Sequence, residues 1–214
     1  MYRKFFILVI LLNVCFIQAQ EIAVMHYKGG GDWYSNPTAL KNLISFCNAN
    51  INTAIDQKAK TVKPDSPEIF NYPYIYLTGH GNVFFSDADA KNLRDYLLSG
   101  GFLHVDDNYG LDPYFRKAIK KVFPDKALEP LPADHPIFKS AYGFPQGLPK
   151  IHVHDGKKPE LFGLTHEDRL FLVFSYESDL GNGWEDPAVH NDPEEVRRKA
   201  LQMGANIVKY AFTN

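Results

Sequence analysis

The residues best suited to chemistry in this 214-residue chain are a histidine and two carboxylates in one short stretch. Thr78-Gly79-His80-Gly81 places an imidazole between two glycines, and Asp106-Asp107 follows about one βα unit later. A histidine that meets carboxylates in a cleft can run general acid–base chemistry or help hold a divalent metal. The same pair has a plainer use, because Asp106 and Asp107 could cap the next helix and pin Asn108-Tyr109-Gly110 by Asx-type hydrogen bonds.

The elements that must position these groups are legible around them. Tyr74 to Leu77 is a short β-branched and aromatic run, as expected of a buried strand. From Ser86 the pattern changes to a period of 3.6, with Ala90, Leu93, Tyr96 and Leu97 on one face and Ser86 as N-cap. Gly100-Gly101 stops that helix. Phe102 to Val105 forms a second strand and runs directly into Asp106-Asp107. A strand–helix–strand unit makes parallel strands, so His80 and the aspartate pair are expected together at the carboxyl edge of the sheet, where open α/β sheets bind ligands.

Other candidates are expected at the same edge. Glu21 to Tyr27 reads as the first strand and opens into Lys28-Gly29-Gly30-Gly31-Asp32-Trp33-Tyr34. This glycine loop could approach a phosphate but matches neither G-x-G-x-x-G nor the P-loop, and a flexible loop with an aromatic lid explains it equally well. Gly30, Asp32 and Trp33 are therefore ligand-binding candidates, with Asn36 expected to cap a helix begun by Pro37. Leu170 to Phe174 reads as a central parallel strand. Glu177, Asp179 and the Trp184-Glu185 pair follow it and complete an acidic, aromatic set.

Competing constellations carry less. His152-Val153-His154 would point both imidazoles one way on a strand, but no third ligand lies nearby, so a surface pair is the expectation. His135 between Asp134 and Pro136 is expected to lock a turn, and His104 to be a satisfied core histidine. Ser175-Tyr176-Glu177 is no nucleophile elbow. Residues 141–168 give no clear pattern, and 128–138 reads as an ordered, proline-rich surface loop.

Composition sets the outer bounds. Arg3-Lys4, the apolar run from Phe5 to Ile17 and Gln18-Ala19-Gln20 read as a secretory signal over residues 1–19, leaving residues 20–214 as a single domain with no membrane span. Export to the periplasm or the medium follows from that reading. Only Cys47 then remains, on an apolar helical stripe, so no disulfide framework is expected. A net charge of −2 without a basic stripe argues against a nucleic-acid partner.

Taken together, Tyr76-Leu77-Thr78-Gly79-His80-Gly81, Gly100-Gly101-Phe102-Leu103, Asp106-Asp107, Phe123-Pro124, Asp134-His135-Pro136-Ile137-Phe138, Asp179-Leu180-Gly181 with Gly183-Trp184-Glu185, and Asn206-Ile207-Val208-Lys209-Tyr210-Ala211 resemble a bacterial domain-of-unknown-function family, DUF4159. The resemblance implies the fold of class I glutamine amidotransferases: a flavodoxin-like, three-layer sandwich of helices around a mostly parallel sheet. Relatives of that kind occur as secreted domains or as parts of larger membrane-associated proteins. One departure matters. The amidotransferases place a cysteine on a glycine-flanked elbow, and here the comparable turn carries His80. The resulting expectation is an exported domain without the thiol nucleophile that binds a ligand or an envelope protein. The alternative is a hydrolase using His80 and Asp106/Asp107, with or without a divalent metal.

Overall fold

A computed structural model describes residues 20–213. Residues 1–19, read above as a secretory signal, lie outside the described residues. The chain runs β1 (Ile22–Met25), α1 (Ala39–Asn50), β2 (Lys60–Val62), β3 (Tyr74–Gly79), α2 (Asp87–Leu98), β4 (Phe102–Asp107), α3 (Asp112–Val122), β5 (Glu129–Pro130), β6 (Glu160–His166), β7 (Arg169–Tyr176), α4 (Leu180–Trp184), α5 (Pro187–His190) and α6 (Glu194–Thr213).

The seven strands form one sheet in the order β2-β1-β3-β4-β7-β6-β5. The first five in that order are parallel; β6 and β5 extend the sheet antiparallel. Helices cover both faces, which makes a three-layer α/β sandwich. The chain steps from β1 outward to β2, then returns to lay β3 on the other side of β1. That reversal puts the switch point, where doubly wound sheets hold their ligands, between β1 and β3.

Alternation along the strands decides which layer each residue serves. On β3, Ile75 and Leu77 join the core beneath α2 and α3, where Leu93, Leu97, Phe115 and Ile119 pack. Tyr74 and Tyr76 join the opposite core with Leu43 and Ile44 of α1, Trp184 of α4 and Ile207 of α6. The same period of two on β4 sends Phe102, and His104 behind it, toward Tyr74 and Trp184. Leu103 and Val105 go to the α2–α3 side.

Local chemistry accounts for most boundaries. Ser86 and Asp89 form a reciprocal capping box at the start of α2: Ser86 Oγ accepts from the Asp89 N–H and Asp89 Oδ2 accepts from the Ser86 N–H. His135 caps a 3₁₀ turn over Pro136–Lys139 by accepting from the Ile137 N–H, so it does lock a turn.

Several expectations are corrected. The helix predicted to begin at Pro37 with Asn36 as cap begins at Ala39 after Thr38. Asn36 lies in the left-handed region (φ 59°) with its side chain committed to Asn108 and Asn182, so it cannot cap. His152-Val153-His154 lies in irregular backbone, so strand alternation does not set the directions of its two imidazoles. The expected loop at 128–138 contributes the short edge strand β5. β7 is parallel to β4 on one side but antiparallel to β6 on the other, in a hairpin where His166 pairs with Arg169. Its two-residue turn, Glu167-Asp168, has φ of 49° and 64°, a conformation that Asn-Gly or Asp-Gly would have advertised. Among the described residues, no helix is long and apolar enough to cross a membrane.

Candidate functional site

The carboxyl edge of the parallel strands carries nearly all the candidates, but it divides them into groups that the sequence does not separate. At the switch point, His80 pairs with Asp32 of the glycine loop and not with Asp106 or Asp107. The Asp32 carboxylate accepts from the His80 backbone N–H through Oδ1, and Oδ2 lies 2.9 Å from Nδ1 of the ring. Partial burial works against the Asp32 charge, but the bonds from His80 outweigh it and hold the carboxyl below its ordinary value. Gly79 makes the approach possible. Its φ is +140°, and a Cβ there would run into the Tyr27 hydroxyl and Asp32. The pair is half exposed, with Nε2 of His80 free of any partner among the described residues, so it is an aspartate-oriented imidazole at an open edge. Gly30 sits in this loop at φ 90° with open space around its Cα.

Asp106 and Asp107 face opposite layers, as strand alternation requires. Asp107 Oδ1 accepts from the Leu111 N–H at 2.8 Å and so ties down the turn into α3, the capping role. Burial pushes its pKa up to about 6, against the help of that bond. Asp106 turns to the α4 side. Its Oδ2 accepts from the Tyr76 hydroxyl at 3.2 Å and from the Gly181 N–H at 2.7 Å. Full burial, reinforced by the charge of Asp179, pushes Asp106 well above the usual carboxylate range.

Asp179 draws in the two histidines expected to be a surface pair. His154 Nε2 bonds to Asp179 Oδ2, and His152 Nδ1 lies 3.7 Å from the same oxygen. The third group that spacing could not supply comes from the loop after β7, 25 residues downstream of His154. His152 Nε2 also meets both oxygens of Asp192 at 2.9 and 3.0 Å. Tyr109 stacks on His154 with ring centroids 4.3 Å apart. Glu177 is buried against Lys150 at 2.9 Å. Among the described residues, no three His, Cys, Asp or Glu side chains are grouped so as to hold a metal ion.

Two ligand-binding candidates are structural instead. Trp184 is fully buried and donates its indole N–H to the Ala200 carbonyl. Glu185 is buried beneath α1, where Oε1 accepts from the Thr38 and Ala39 N–H groups and Oε2 from the Thr38 hydroxyl. It satisfies the orphan donors of a helix start, the job expected of Asn36. The sequence disguised this, because the capping residue lies 147 positions away.

Trp33 lies beside a cleft. It stacks on His26 at 4.2 Å and borders a cavity of about 560 Å³ between α1 and the β1–β2 edge. Val24, Leu40, Ala59 and Tyr76 form its apolar wall, with Tyr34 at the rim. Lys41, Lys58 and Lys60 also line it.

Buried side-chain atoms without a hydrogen-bond partner concentrate at this edge: Ser35 Oγ, Thr78 Oγ1, Asp106 Oδ1, Asn108 Oδ1 and Asp179 Oδ1. The Thr78 hydroxyl lies beside the Tyr76 phenol without a hydrogen bond of acceptable geometry. Asp89 Oδ1 is the one such atom elsewhere among the described residues. Four of the eight non-glycine residues with positive φ among the described residues, Asn36, Tyr109, Glu177 and Asp179, lie there too. Orphaned polar atoms and non-glycine residues in the left-handed region are costs that cluster at binding and catalytic sites. Cys47, the free cysteine, is buried on α1, and burial pushes its thiol up to about 12, so it supplies no thiolate. No curated protein matches the chain. The family described as "Domain of unknown function (DUF4159)" matches residues 21–212, and the chain belongs to that family.

Proposed function

We propose that this chain is an exported, ligand-binding domain of the cell envelope, with an amidotransferase-like fold that has lost its thiol nucleophile. The parallel strand order and the burial of Cys47 on a helix support the second half of that reading. The basic residues, apolar run and Ala19 at the amino end support export. The observation that carries the binding role is the cavity between α1 and the β1–β2 edge. Its volume of about 560 Å³ lies within the roughly 300–1,000 Å³ range of small-molecule sites. Its apolar wall is interrupted by the polar residues Ser35, Asn36 and Thr78. An aromatic or aliphatic body with one or two polar substituents fits that lining.

The test is a fragment screen by ligand-observed NMR on the parent and on Ala59→Trp, which fills the cavity from its rim. Apolar fragments should bind the parent and be lost in the variant. Absence of binding to the parent, or unchanged binding in Ala59→Trp, overturns the reading. The free Nε2 of His80 favours a second reading, an acid–base hydrolase. Its dyad partner would be Asp32 rather than Asp106 or Asp107, and His80→Ala would abolish turnover of a substrate found for it.

A further inference from the structure

A directed chain of hydrogen bonds runs along the carboxyl edge from β4 to the loop before α6. Asn108 Nδ2 donates to Asn36 Oδ1 at 3.0 Å, and Asn36 Nδ2 donates to Asn182 Oδ1 at 2.9 Å. Asn182 Nδ2 meets His152 Nδ1 at 3.1 Å, and His152 Nε2 meets Asp192 at 2.9 Å. The carboxylate at the far end can only accept. His152 Nε2 therefore donates to it, and each amide along the chain donates through its Nδ2 to the next acceptor. The head of the chain is Asn108 Oδ1, an acceptor that receives nothing from the described residues.

Two more oxygens are left the same way. Asp106 Oδ1 and Asp179 Oδ1 have no partner, and Asp106, Asn108 and Asp179 are 0%, 3% and 1% exposed. They belong to one locale. Asp106 Oδ2 binds the Gly181 N–H, two residues past Asp179. A Cβ on Gly181 would meet Asp106 Oδ2, Tyr76 Oη and Asn36 Nδ2 together. All three orphans accept, and the cations near them are committed elsewhere: Lys150 is bound to Glu177 and the Lys157 carbonyl, while Lys157 pairs with Asp155 and Glu177. Over this locale the Tyr109 ring, held at φ 75°, stacks on His154 while His154 bonds to Asp179.

We propose that Asp106, Asn108 and Asp179 form a binding site for a protonated primary amine, closed in this structure by the stacked rings of Tyr109 and His154. An ammonium group brings three N–H donors and one positive charge to three orphaned acceptors in an acidic setting. It suits them better than a metal ion does. Each carboxylate offers only one unpartnered oxygen, and among the described residues no three His, Cys, Asp or Glu side chains are grouped so as to hold a metal ion. The raised pKa of Asp106 agrees with a buried carboxyl that lacks its cation. The site is distinct from the cavity beside Trp33 and does not depend on it.

The experiment is a titration of ¹⁵N-labelled protein with methylammonium chloride and 1,4-butanediammonium chloride, against sodium, magnesium and calcium chlorides at matched ionic strength. The expected result is saturable shifts of the Asp179, Gly181 and Tyr109 amides with the amines alone. Asn108→Leu should weaken binding at least tenfold, and Tyr109→Ala should speed release by removing the lid. Asn108→Leu keeps the proposal testable if Asp179 variants fail to fold. Equal shifts with sodium chloride, saturation by magnesium or calcium instead of the amines, or no shift at all would each overturn it.

Discussion

Asp107→Asn separates two contributions that Asp107 makes to the fold. Its carboxylate accepts from the Leu111 N–H, and the amide oxygen of asparagine can keep that bond. What asparagine removes is a desolvated charge. Asp107 is 3% exposed, and burial raises its pKa to about 6 from the ordinary 3.8. That difference corresponds to about 3 kcal/mol, less whatever local water penetration returns. Because the folded state holds this proton more tightly than the unfolded chain, Asp107 favours folding most below pH 3.8. The advantage falls as pH rises and is gone above about 6.

The parent should therefore lose about 2–3 kcal/mol relative to Asp107→Asn between pH 4 and pH 7, and the variant should be the more stable protein at neutral pH. Comparing the two cancels groups of opposite sign, such as Asp32 and Asp87, whose lowered values stabilise the fold as pH rises. The assay is urea unfolding at half-unit pH steps with intrinsic fluorescence. Parallel stability curves for the two proteins would refute the reasoning. Asp107→Ala is the control: it removes the cap as well, so at neutral pH it should fall below Asp107→Asn by about 0.5–2 kcal/mol.

Glu185→Ala should destabilise the protein by about 2 kcal/mol, because it strips the acceptor from the buried Ala39 N–H and the half-buried Thr38 N–H; chemical denaturation reads this directly. Cys47→Ser should cost about 1–2 kcal/mol for a buried hydroxyl, and the parent thiol should resist a disulfide-exchange reagent until the protein unfolds. His104, held between the Tyr74 and Ser175 hydroxyls at 2.8 Å each and lowered by burial to about 3, should keep neutral-ring ¹⁵N shifts down to pH 5; an imidazolium signal at that pH would contradict its place in the core.

The parts of this fold legible in the sequence are those whose causes are local. Ser86 stands just before the apolar stripe of α2, so the cap could be read directly, and Asp89 three residues on completes it as a box. The alternation of Tyr74 to Leu77 and the stripe of Leu93 and Leu97 depend on one element each. The parts that escaped depend on contacts distant in the chain. The β6–β7 hairpin turns on Glu167-Asp168, residues with no intrinsic claim to positive φ. Glu185 serves a helix that begins 146 residues earlier, and His154 finds Asp179 across irregular backbone. The glycine turn at His80 was legible as a close approach, but not that Asp32 was the group approaching.

Asp106 and Asp107 show how one strand end can serve folding and binding at once. They are adjacent, of the same residue type and both buried, so composition treats them alike. Strand alternation sends Asp107 to the α3 layer, where its Oδ1 caps a turn. It sends Asp106 among Tyr76, Gly181 and Asp179, where Oδ2 is satisfied and Oδ1 is not. An unsatisfied buried polar atom costs about 1–3 kcal/mol, and each strained backbone residue a similar amount. Asp106, Asn108, Tyr109 and Asp179 carry several such costs at one corner of the sheet. The surrounding core contains large, well-packed side chains such as Trp184, Tyr74 and Phe174 and is able to sustain them. Removing the unpaired acceptors should then stabilise the empty protein while weakening whatever it holds, which is the pattern expected where an acidic pocket is built for a partner the chain does not itself provide.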